Sequence, residues 1–176
     1  DGRGQDPGRR GLVREAMELV EVFVRGIALD QERRHPVVLL KTEEDEEILP
    51  IWIGTAEATA IFTALAGKSF ERPMTHDLLR IVIDVLSATV DRIEITGIHA
   101  DTYFARIVLK HGEDTFYVDA RPSDSIALAL RAGSSILIEH ELFDAYKRPI
   151  DLGADEDDVR RRLKELDPGD FGEFES

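Results

Sequence analysis

The chain has 176 residues, 43% of them apolar and 33% charged, with a net charge of −14 and no cysteine; that length suits one domain of ordinary size. The absence of thiols excludes disulfides, thiolate metal sites and a cysteine nucleophile and fits a reducing, cytoplasmic setting; no apolar run nears the roughly 20 residues of a membrane span. Residues 151–176 carry 10 acids against 4 bases and residues 1–16 carry 3 against 4, so the body is acidic in its own right and repels a polyanion unless a local basic cluster or a divalent cation intervenes.

Residues 1–16 are rich in Gly, Arg and Asp and read as a flexible leader; Met17 is either the translation start or an ordinary internal residue. Loose alternation over Glu18 to Leu29 predicts a strand covered in part on both sides. After a polar turn, Val37 to Lys41 and Ile48 to Ile53 read as two further strands flanking the acidic turn 43–47. Pro50 marks the latter as an edge or bulged strand. Ala56 to Ala66 is a small-residue helix with a stripe at Ala58, Ile61, Phe62 and Leu65, stopped by Gly67.

The loop 68–74 carries Arg72-Pro73, and Thr75 is expected to cap a helix from His76 to about Ala88. Six apolar residues in that helix predict that it is mostly buried. Asp91 to His99, Tyr103 to Lys110 and Thr115 to Ala120 are three strands with short joins, Gly97 suggesting a bulge or a close backbone approach. Arg121-Pro122 ends the last of them. Ser123 is expected to cap a helix over Asp124 to Ala132, stopped by Gly133. A short strand at 136–138 and a short helix at 139–146 follow. Asp155 to Leu166 reads as a terminal helix whose acids precede its bases, as the helix dipole favours. The sum is a single α+β domain over 17–146, a mixed, largely antiparallel sheet with helices packed against it, followed by an acidic C-terminal helix and mobile tail over 147–176.

Two helix starts share a pattern: Arg72-Pro73-Met74-Thr75-His76-Asp77 and Arg121-Pro122-Ser123-Asp124. Proline sets the approach, a hydroxyl can satisfy an orphan N–H, and Asp suits the first turn. Capping alone accounts for Thr75 and Ser123, though either hydroxyl could also face a phosphate. Arg72 and Arg121 stand before helix N-termini, where backbone N–H groups already favour anions. The competing reading is an ion pair of Arg121 with Asp124 or Asp77 that locks two loops. His76 could act as general acid or base, but neighbouring residues on a helix do not face each other, so Asp77 need not orient it. Asp77 and Asp124 could hold Mg²⁺ or Mn²⁺ if the two helix starts meet. No P-loop, dinucleotide fingerprint or His-Glu-x-x-His is present, and no organic cofactor is expected.

Leu49-Pro50-Ile51-Trp52-Ile53-Gly54 with Glu57-Ala58, Arg72 to Leu79, Tyr103-Phe104-Ala105 and Arg121 to Arg131 come in an order that resembles the bifunctional nuclease domain family. The resemblance covers roughly Met17 to Tyr146, with Ser125 standing where Ala is expected. It implies an α+β fold and, as in some plant members, cleavage of DNA and RNA. On this reading His76, Asp77 and Asp124 are the catalytic candidates. Arg72, Arg121, Thr75 and Ser123 would bind phosphate, and Asp77 and Asp124 would bind metal. The alternative is a non-catalytic binding or scaffold module, with or without a small anionic ligand. The small-residue helix and the strand edge near Pro50 leave room for a homodimer or other homo-oligomer.

Overall fold

The computed structural model describes residues 18–30 and 35–149. The expectations for the leader, Met17, the terminal helix and the tail lie outside these residues. In chain order the elements are β1 (Leu19–Leu29), β2 (Pro36–Lys41), β3 (Leu49–Trp52), α1 (Thr55–Leu65), α2 (Thr75–Val85), β4 (Thr89–His99), β5 (Thr102–His111), β6 (Asp114–Ala120), α3 (Pro122–Ala132), β7 (Ser135–Glu139) and α4 (His140–Tyr146). Every element expected within the described span is present, with ends shifted by a few residues.

The strands form one seven-stranded sheet in the order β3-β2-β1-β7-β4-β5-β6. All pairings are antiparallel except β4 with β7, so the fold is α+β with a mixed, largely antiparallel sheet. Pro50 sits on the edge strand β3, where a missing N–H costs no ladder bond. Register shifts mark bulges beside Gly26 and Gly97. A Cβ at Gly97 would meet nothing within 4 Å, so this glycine relieves the bulge and not a close contact.

One sheet face carries the main core, built from β-branched residues such as Ile93, Ile95, Ile136 and Ile138 against Ile61, Ile126 and Leu128 of the helices. α1 covers β1 and β2, and α3 covers β4, β5 and β7. The alanines of α1 serve this internal packing: Ala58 is buried where α1 lies beside α3. On the other face Glu94 is buried between Arg92 and Arg106, accepting hydrogen bonds from both at 2.7 and 2.5 Å. Two cations thus offset the desolvation of one carboxylate.

Two expectations fail in the helices. α2 is not mostly buried: of its residues only Ile83 is, while Leu78, Val82 and Val85 are exposed. Thr75 and Ser123 are not N-caps. Met74 and Arg121 hold those positions, and Thr75 and Ser123 are the first and second residues inside their helices. Proline at N1 of α3 explains the shift, since its fixed φ already suits the first helical position. No described helix is long and apolar enough to cross a membrane.

The β4–β5 hairpin closes through two residues, Ala100 and Asp101, with φ of 47° and 60°. Such a turn favours Asn-Gly, and the left-handed region penalises a Cβ. Replacing Ala100→Asn together with Asp101→Gly should therefore raise stability by about 1 kcal/mol, read as a higher urea midpoint with an unchanged slope.

Candidate functional site

The site arises where three helix starts converge. α1 follows Gly54, which precedes the helix in extended conformation. A Cβ there would lie 2.2 Å from Glu57 Oε2, so any larger residue displaces this carboxylate. Glu57 accepts from Arg121 NH1 at 2.8 Å. Arg121 is the last residue before α3, and its Nε donates to Asp124 Oδ2 at 2.8 Å. Asp124 Oδ1 in turn lies 3.0 Å from His76 Nε2, on α2. The two Arg-Pro helix starts, whose His and Asp stand 48 positions apart, therefore meet through one hydrogen bond.

A second network lies beside the first. Arg131, in the last turn of α3 and 9% exposed, donates from Nε to Asp77 Oδ1 at 2.5 Å. Its NH1 reaches the carbonyls of Ala60 and Ala127, both at 2.9 Å, and its NH2 reaches Thr63 Oγ1 at 3.3 Å. Asp77 also accepts from the Met74 N–H at 3.0 Å, which satisfies an orphan donor at the start of α2. The ion pair expected for Arg121 is thus formed with Asp124, while Asp77 pairs with Arg131.

Burial pushes the Asp124 carboxyl upward, but hydrogen bonds from Arg121 and His76 outweigh it and hold the group below its ordinary range. For Asp77, burial likewise acts upward and is overcome by the Arg131 hydrogen bond, the Met74 N–H and the Arg131 charge. Both groups are carboxylates at neutral pH. The His76 side chain is 13% exposed, whereas Arg121 is 66% exposed. Asp124 can fix one ring nitrogen of His76 and leave the other to exchange a proton. Arg121, engaged through Nε and one amino group, keeps further N–H donors open to solvent.

The other candidates divide. Arg72 and Thr75 are exposed on the approach to α2, and Arg72 makes no ion pair among the described residues. Ser123 is buried and cannot meet a phosphate. Of the two carboxylates expected to hold Mg²⁺ or Mn²⁺, Asp77 is bound to Arg131 and Asp124 to Arg121. No group of three His, Asp or Glu side chains suited to a metal gathers among the described residues. Ser125, where Ala was expected, is fully buried and bonds back to the Arg121 carbonyl at 3.0 Å, which removes the cost of its hydroxyl. Sequence reasoning missed Glu57 and Arg131 as partners. Both stand within the recurring blocks, but a charged residue in a helix does not name the helix it will face.

The profile of the bifunctional nuclease domain matches residues 38–151. An uncharacterized protein of Mycobacterium tuberculosis (strain H37Rv) is 40% identical over 119 residues, 68% of this chain and 71% of its own length. Bifunctional nuclease 1 of Oryza sativa subsp. japonica is 25% identical over 122 residues, 67% of this chain but 37% of that protein.

Two outcomes follow from the networks. Asp77 and Asp124 bind protons more weakly in the folded than in the unfolded chain. Their stabilisation is complete above the unfolded value of about 4 and is lost as pH falls through the lower folded values. The urea midpoint should drop on acidification below about pH 4, and the Asp77→Asn/Asp124→Asn variant should show a shallower drop from a lower starting point. Separately, Arg131→Lys should cost about 3 kcal/mol, since a point charge cannot replace a fork bound to three helices; thermal and urea unfolding measure it.

Proposed function

The chain belongs to the bifunctional nuclease domain family, and on that premise we propose that it hydrolyses phosphodiester bonds of DNA or RNA at the junction of His76, Arg121 and Asp124. The observation that carries this reading is the 3.0 Å contact of His76 with Asp124, which unites the two helix starts. In the proposed mechanism Asp124 orients His76 and stabilises its protonated form. His76 takes a proton from the attacking water or gives one to the leaving oxygen, a role worth about 10²–10⁴ in rate. Arg121 binds a non-bridging phosphate oxygen, and exposed Arg72 steers the strand toward the start of α2. Glu57 positions Arg121, and Asp77, with Arg131, positions α2.

Among the described residues no group of three His, Asp or Glu side chains gathers around a cation position, and no step is assigned to a metal. Mg²⁺ and Mn²⁺ instead enter as conditions of the assay. A second reading, a non-catalytic module, draws on the same contacts: every charge of the inner networks has a partner, as a structural lock requires. It keeps Arg121 as an anion contact without turnover.

The assay uses the full chain on labelled single- and double-stranded DNA and RNA, with Mg²⁺, Mn²⁺ or EDTA. His76→Ala and Asp124→Asn, checked for folding by circular dichroism, should each lower the cleavage rate by about 100-fold or more. Equal cleavage by wild type and both variants would identify a contaminant and end the nuclease reading. Absence of cleavage together with a thermal shift in inorganic phosphate that Arg121→Ala abolishes would establish the second reading.

A further inference from the structure

Glu57 is the acidic residue of the first turn of α1, where the helix dipole favours it. Its side chain is 18% exposed, and Arg121 NH1 donates to its Oε1 at 2.8 Å. A Cβ at Gly54 would lie 2.2 Å from Oε2, so the carboxylate fills the space that any larger residue at 54 would take. The same guanidinium donates through Nε to Asp124 Oδ2 at 2.8 Å. One cation is thus set between two carboxylates from two helices, α1 and α3. A phosphate on the open N–H groups of Arg121 would stand on the order of 6 Å from both carboxylates, given ordinary hydrogen-bond lengths on either side of the guanidinium.

The fixed charges at the junction do not sum above zero. Glu57 and Asp124 set two negative charges against the one positive charge of Arg121. Asp77 and Arg131 cancel as a pair, and so do Arg80 and Asp84 further along α2. Arg72, exposed on the approach to α2, forms no ion pair with these groups. His76, in contact with Asp124, adds at most one positive charge and brings the cluster to neutrality. Such a cluster differs from an ordinary arginine pocket. An excess of positive charge attracts a dianion more than a monoanion, whereas a neutral or negative cluster does not. An internal phosphodiester carries one negative charge. A phosphomonoester carries close to two above its second ionisation at about pH 6.

We propose that Glu57 makes this junction selective by charge: it admits the singly charged phosphodiester inside a strand and turns away the doubly charged phosphomonoester at a strand end. The inference rests on the phosphodiester reading above and adds to it the position on the strand. A neutral acceptor would serve to hold Arg121, since a Gln at position 57 can still accept from NH1. What it would not supply is the second negative charge, and the cluster would then carry one unit more of positive charge. The charge of Glu57 therefore acts on the ligand, while its hydrogen bond acts on Arg121. Glu57 is a selecting and positioning residue and takes no part in the proton transfers of His76. The consequence is cleavage within a strand: a circle without ends serves as well as an open strand, and a terminal phosphate gives no advantage.

Dimethyl phosphate and methyl phosphate are close in size and differ by one charge at about pH 8. Their dissociation constants for the full chain can be read, at constant ionic strength, from the amide chemical shifts of Arg121, Ser123 and Asp124. The wild type should bind the dianion no more tightly than the monoanion. Glu57→Gln should move the ratio of the two constants about tenfold toward methyl phosphate, the effect of one unit charge at about 6 Å in a partly solvated site. Arg121→Ala should lose both probes. A purely structural role of Glu57 would weaken both probes alike and leave the ratio where it was. In cleavage, the wild type should cut a circular single strand as fast as the same sequence opened and 5′-phosphorylated. A wild type that prefers methyl phosphate by about tenfold or more, a ratio unmoved by Glu57→Gln, or cleavage of the open strand alone would overturn the selection and leave the proposed function standing. The expected ratio without cleavage of either strand would uphold the selection and end the nuclease reading. If neither probe moves these amides, the anion contact of Arg121 and the selection fall together.

Discussion

Arg131 joins three helices from one position. Its guanidinium touches Ala60 and Thr63 on α1, Asp77 on α2 and Ala127 on its own helix. A fork this enclosed needs its donors met, and only this arrangement of helices meets them. The consequence reaches the candidate site through simple geometry. Successive residues on a helix point about 100° apart. Once Asp77 is turned toward Arg131 at one end of α3, His76 is turned elsewhere, and the structure has it meet Asp124 at the other end. The placing of the proposed acid–base pair is thus coupled to the Asp77–Arg131 ion pair beside it.

The same contacts bear on how an acidic protein could admit phosphate. Asp77 pairs with the guanidinium of Arg131, and Asp124 and Glu57 share that of Arg121. Two arginines offset most of the charge of these three carboxylates, which lessens the repulsion a phosphate would meet where the helix starts converge. Arg121 is held by two carboxylates yet stays exposed, which restricts its motion without hiding it. A cation fixed in place loses less freedom on binding a ligand than a mobile surface lysine does. Structural locking and anion recognition are compatible here because they use different N–H groups of one side chain.

Much of this was legible in the sequence. Alternation located the strands, Gly67 and Gly133 located two helix ends with φ of 60° and 68°, and Pro50 located an edge. The resemblance to the nuclease family drew attention to both helix starts. What was not legible is nonlocal. Thr75 and Ser123 were assigned as caps because side-chain type was weighed without backbone register, and with proline at its first position α3 starts two residues earlier. Asp77 has no sequence neighbour that identifies Arg131, 54 positions away, as its partner. β7 pairs parallel with β4 and antiparallel with β1, and so joins the two halves of the sheet. That pairing follows from packing and not from the pattern of five residues.

The misreading of α2 has a different cause and a wider meaning. Apolar residues on several sides of a helix ordinarily mean burial, and the inference from the sequence was sound. Among the described residues that face of α2 stays open. α2 is also the helix that carries His76 at its first turn, fixed there by Asp124 and, through Asp77, by Arg131. Its inner end is set by polar contacts within the chain and its outer face is left to whatever covers it. The open face and the candidate site therefore lie on the same helix, and whatever restrained that face would also restrain the histidine that the proposed chemistry requires.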